Sequence, residues 1–87
     1  MYGRDMAKQI SQALDNLETV LKQAGLTLAN VVRLNYYTTD MTAFFNAASA
    51  FLPRLVASGC KPSSTLLGVA SLFHPEIMIE LEATAVV

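Results

Sequence analysis

From Met6 onward the apolar residues fall at Met6, Ile10, Ala13, Leu14, Leu17, Val20, Leu21 and Ala24. Steps of three and four put these on one side of a helix, so an amphipathic helix is predicted from Asp5 to Ala24. Asp5 suits the N-cap, where a carboxylate accepts from the first unpaired backbone amides, and Gly25 can take the left-handed turn that closes a helix. Glu18 and Lys22 stand one turn apart in the order that favours an ion pair.

The pattern then changes. Val31 to Thr39 is rich in β-branched and aromatic types, with Val32, Leu34, Tyr36 and Thr38 on one face of the predicted strand. Tyr36 and Tyr37 therefore point to opposite sides. Asp40 or Thr42 can cap a second helix whose buried side is predicted as Phe44, Phe45, Ala48, Phe51, Leu52, Leu55 and Val56. Pro53 lacks an amide proton and is expected to kink or break that helix about a turn earlier. Gly59 and Pro62 close the segment.

Ser64 to Ala70 reads as a short strand in which Gly68 marks a bulge or a close backbone approach, and Phe73-His74-Pro75 as a turn. Ile77 to Val87 is the last strand. Its period of two puts Ile77, Ile79, Leu81, Ala83 and Ala85 on one face and Met78, Glu80, Glu82, Thr84 and Val86 on the other.

The predicted order is α-β-α-β-β, an α+β two-layer sandwich with both helices on one face of a small sheet. The opposite face is expected to carry Tyr37, Val31, Met78, Val86 and Leu66, an apolar surface that association with further copies would hide. Composition sharpens this expectation. Hydrophobic residues make up 53% of the 87 positions and charged ones 15%, too apolar for disorder and consistent with an oligomer. A chain of this length is read as one domain, 1–87.

Net charge is −1, and Arg4, Lys8, Lys22, Arg33, Arg54 and Lys61 are scattered, so no basic stripe is available for a nucleic-acid backbone. No run of ~18 unbroken apolar residues predicts a membrane span. Cys60 is the only cysteine, and the opening Met1-Tyr2-Gly3-Arg4-Asp5 has no apolar leader core, so a cytoplasmic location is expected. His74 lacks a second His or Cys at metal-ligand spacing and reads as a loop residue. No metal and no cofactor are expected. Glu80 and Glu82 read first as polar residues on the less buried face of a strand.

Four segments together resemble the Rid family, the YjgF-type reactive-intermediate (imine) deaminases also described as endoribonuclease L-PSP-like. They are Gln12-Ala13-Leu14-Asp15-Asn16-Leu17-Glu18-Thr19-Val20-Leu21 with Ala24-Gly25-Leu26, then Val31 to Met41, the Pro62 segment with Gly68-Val69-Ala70, and Ile79-Glu80-Leu81-Glu82-Ala83-Thr84-Ala85. The resemblance covers approximately Asp5 to Val87. It implies a chorismate mutase-like homotrimer with small-molecule clefts between subunits, and hydrolysis of reactive imines or enamines to keto acids and ammonia.

By the same resemblance Glu80 is the catalytic residue that activates water, and Ser64, Thr65 and Tyr37 are substrate-binding. Family chains begin with strands that this chain lacks, so the domain is expected to be incomplete at its N-terminus, as a fragment, a misplaced start or a variant. Where the family has a carboxylate-binding arginine this chain has Ser64, and Ala48 falls at the position of a family asparagine, with Asn46 nearby. That exchange supports an alternative, a non-catalytic ligand-binding or regulatory homologue. Ribonuclease activity, described for some relatives, ranks last for want of a basic groove.

Overall fold

In the computed structural model, which describes residues 5–87, helix α1 (Met6–Gln23) starts where Asp5 Oδ1 accepts from the Lys8 amide at 3.0 Å. It ends as the glycine predicts. Gly25 has φ of +74°, its amide donates to the Lys22 carbonyl, and the Leu26 amide reaches back to the Leu21 carbonyl at 2.9 Å. Such a paired closure satisfies carbonyls that the last turn leaves free. The reading of residues 1–4 as lacking a leader core lies outside the described residues.

A 3₁₀ turn, Leu28–Asn30, capped reciprocally by Thr27 and Asn30, leads into strand β1 (Val31–Thr38). Helix α2 (Met41–Ala57) follows, capped by Asp40, then β2 (Ser63–Gly68) and β3 (Ile79–Ala85). Strand order is β2-β1-β3, with β1 central, parallel to β2 and antiparallel to β3. The predicted α-β-α-β-β order and α+β layering are observed. Ile10 and Leu14 of α1 and Leu34 of β1 are fully buried, and Phe44, Phe51 and Leu55 of α2 close the core over them.

Several expectations are corrected. A register shift between Val31 and Arg33 turns Val31 into the core at 3% exposure and leaves Val32 at 45%, the reverse of the predicted phase. One extra residue in a strand flips the side chains on either side of it, which is what a bulge does. No shift occurs at Gly68, where a Cβ would instead come within 3.3 Å of Met41 Cγ, the close-approach alternative.

Pro53 sits inside an unbroken α2. Both Pro53 and Ser49, whose carbonyl loses its partner, are exposed, so water can take up the freed oxygen. Phe45, Leu52 and Val56, predicted as buried, are 61%, 47% and 76% exposed, and Val20 on α1 is likewise outside the core. An apolar stripe covering a third of a helix saturates its contact with one sheet. Glu18 turns to Arg54 of α2, which also holds Asp15 at 2.7 Å, and so clasps the two helices.

The last strand is shorter than predicted, and Met78 ahead of it is buried. Leu66 pairs with Tyr36 and therefore lies on the helix side. Of the residues expected on the open face only Tyr37 belongs there among β1 and β2. That face is mainly polar, with Arg33, Asn35, Thr65, Glu80 and Glu82 beside Tyr37 and the half-exposed Leu67.

Candidate functional site

Register builds the open face from β1 outward. Arg33, Asn35 and Tyr37 point away from the core residues Leu34, Tyr36 and Thr38. Thr65 and Leu67 of β2 stand beside Asn35 and Tyr37, and Glu82 and Glu80 of β3 stand on their other side. Short cross-strand bonds tie the rows together. Tyr37 Oη donates to Glu82 Oε1 at 2.8 Å, Asn35 Nδ2 to the same oxygen at 3.0 Å, and Arg33 Nη2 to Thr65 Oγ1 at 2.7 Å.

Those bonds shape the acid-base character of the face. Hydrogen bonds from Asn35 and Tyr37, with Arg33 nearby, hold the Glu82 carboxyl below its ordinary range. Its acceptance of the Tyr37 proton, together with burial and its charge, pushes the phenol up. Asn35 Oδ1, by contrast, is sealed from solvent without a partner among the described residues.

Glu80 differs from Glu82. Its only bond among the described residues is a long one, 3.4 Å, from the Phe73 amide to Oε1. It also lines a groove of about 350 Å³ beside α1 with Gln9, Gln12, Asn16, Ile77 and Leu81. Gln9 is a residue that sequence reasoning missed. Buried at 7% exposure, it donates through Nε2 to the Glu76 carbonyl at 2.7 Å and accepts the Met78 amide at 2.7 Å, fixing the chain that leads from Phe73 into β3. Its signal was a polar side chain one turn from Met6 on the apolar side of α1.

The four candidates thus divide. Tyr37, Thr65 and Glu80 share the open face, with Thr65 one row from Glu80 and engaged by Arg33. Ser64 is opposite Leu34 and faces the helix layer, where it lines a second groove of about 310 Å³ with Tyr36, Phe51 and Leu66. No single chain brings Ser64 to Glu80. Arg33, a cation of the open face, stands four residues from Tyr37 along β1, roughly 13 Å at ~3.3 Å per residue, and so lies well away from Glu80, which pairs with Tyr37.

Cys60 is buried, and burial pushes its thiol up, away from a reactive thiolate. His74 is exposed and its Nδ1 accepts from the Glu76 amide. Among the described residues no group of three or more His, Cys, Asp or Glu could hold a metal ion, and no helix is long and apolar enough to cross a membrane.

Residues 1–87 match the family model described as Endoribonuclease L-PSP. A RutC family protein of Pasteurella multocida is 33% identical over 85 residues, covering 94% of this chain and 64% of that protein. The 2-iminobutanoate/2-iminopropanoate deaminase of Escherichia coli is 28% identical over 83 residues, covering 94% and 64%. Both matches span less than two thirds of the relative's own length.

Solved structures superpose closely. A Rid-family protein of unknown function from Yersinia pestis gives a TM-score of 0.87 at 37% identity over 98% of this chain and 65% of its own. A YjgF-family member from Mycobacterium tuberculosis gives 0.84 at 34%, over 98% and 70%.

Proposed function

This chain belongs to the Endoribonuclease L-PSP family of Rid and YjgF-type proteins, and on that premise we propose that it binds a small organic molecule in a cleft shared between copies and hydrolyses a reactive imine or enamine there. The observation that carries the reading is the contrast between the two glutamates of β3. Glu82 is consumed by Asn35 and Tyr37, whereas Glu80 keeps an oxygen open at the mouth of a groove.

The chemistry asked of Glu80 is modest. As the oxygen of a water bonds to the imine carbon, the carboxylate takes one water proton and the imine nitrogen acquires another. Glu80 then gives its proton to that nitrogen as the C–N bond breaks, so ammonia leaves and the alkoxide left on carbon closes to a carbonyl. Thr65 and Tyr37 would border the substrate on the same face. Ser64 would join them from a neighbouring copy in a cyclic assembly, a homotrimer in our reading, because its groove lies on the far side of the sheet.

A second reading, ligand binding without turnover, is favoured by Ser64 itself. A neutral hydroxyl cannot pair with a substrate carboxylate as a guanidinium does. Both are tested by generating 2-iminopropanoate and, beside it, an uncharged ketimine in situ and following the decay of each, with the uncharged one expected to be accelerated more. Glu80→Gln is expected to remove the acceleration, while Glu82→Gln keeps most of it. No acceleration by the native protein would leave binding alone.

A further inference from the structure

We infer that the groove between α2 and β2 selects an uncharged, ring-bearing molecule with one hydrogen-bond acceptor, which the Tyr36 hydroxyl binds. The inference rests on the reading above only in taking this groove as one half of the ligand cleft. Its walls are Phe44, Phe45, Phe51, Leu52 and Leu66, and no charged side chain lines it. A volume of about 310 Å³ is at the small end for ligand pockets, commonly ~300–1,000 Å³, and suits a single ring with a short substituent.

Tyr36 supplies the polar point. The residue is 8% exposed, and its hydroxyl has no hydrogen bond among the described residues. That oxygen is not among the sealed, unpartnered ones, and Tyr36 is one of the residues that line the groove. A phenol with no protein partner is free to donate to an acceptor that a ligand brings, in exchange for water. Burial, with the nearby Cys60 as a lesser cause, pushes its pKa up, so it stays a donor.

The rings are already arranged to receive another. Phe44 meets Tyr36 edge-on at 5.3 Å and Phe45 edge-on at 5.8 Å, and Phe51 lies 5.4 Å away. Phe45 and Leu52 leave apolar surface open at the rim. Such edge-to-face contacts stabilise an added ring beyond the area it buries. A carboxylate entering here would lose its hydration without gaining a cation.

The test compares acetophenone, benzoate and toluene by chemical-shift titration of the full chain, with Tyr36 and Phe51 resonances as reporters. Acetophenone is expected to bind best, and Tyr36→Phe to weaken it roughly five-fold, the worth of one neutral hydrogen bond, while leaving toluene unchanged. Ser64→Arg, at an exposed position, is expected to turn the preference toward benzoate. Benzoate binding as tightly as acetophenone, or a groove closed to all three by a second copy, would overturn the inference. Selective acetophenone binding without imine hydrolysis would refute the catalytic reading and leave this one standing. Imine hydrolysis with no acetophenone binding would do the opposite.

Discussion

Tyr36 and Tyr37 are neighbours in the chain and inhabit two different chemistries. Tyr36 lies among Phe44 and Phe51 with a hydroxyl that finds no partner among the described residues, whereas Tyr37 donates to Glu82 in a network that reaches Asn35. One residue of register separates an apolar groove from a polar sheet face. This small sheet packs rings on one face and, on the other, ties a carboxylate to a phenol and an amide. The same split lets Ser64 and Glu80 belong to one cleft only if two copies supply them.

The sharpest way to break that contrast is to remove a large side chain from the helix side. Phe51→Ala deletes a ring that is 4% exposed and packed on Tyr36 and Phe44. It should cost ~3–5 kcal/mol in a urea melt at matched protein concentration. A loss below about 1 kcal/mol would mean that the helix layer collapses easily and that the groove is not preformed. Substituting the exposed Thr84 on the open face should stay within about ±0.5 kcal/mol.

Next in size is the tie between the layers. Gln9→Leu keeps the apolar contacts of α1 but strands the Met78 amide and the Glu76 carbonyl. Leaving such groups unpaired should cost ~1–3 kcal/mol. Amide hydrogen exchange reads it locally. Met78 is expected to exchange faster, with the centre of β1 unchanged, and uniform acceleration would show that Gln9 supports the whole fold instead.

Much of the architecture was legible because local chemistry dictated it. Asp5 and Gly25 bound α1 as their side-chain and backbone preferences require, and the alternation from Ile79 to Ala85 gave β3 its two faces. What escaped was information held between elements. Val31 and Val32 are the same residue type, so nothing local says which faces inward, and the answer is set by where β3 slips against β1. The aromatic residues of α2 outnumber the places on one sheet, and only packing decides that Phe44 enters and Phe45 does not. Glu80 was identifiable as a candidate through a resemblance, but its separation from Ser64 depends on the parallel pairing of β1 with β2. Gln9 meets partners 67 and 69 residues away, beyond any window of periodicity.

The smallest effect belongs to the open face, and its sign can be worked out. Asn35 and Tyr37 donate more strongly to Glu82 when it is ionised, so its folded pKa is depressed below the unfolded carboxylate value. A depressed carboxylate contributes stability that is present above the unfolded pKa and lost as pH falls through the folded one. Glu82→Gln should therefore flatten the acid limb of a stability profile while changing neutral-pH stability little, as solvent-exposed charges do. Following the Glu82 side-chain carboxyl resonance through the same titration reads the effect at the residue itself. Glu82 is expected to titrate below the ordinary range and to move upward in Tyr37→Phe. An unmoved Glu82 in that variant would show that Asn35 alone holds it, and the tyrosine pair would then differ in packing but not in proton chemistry.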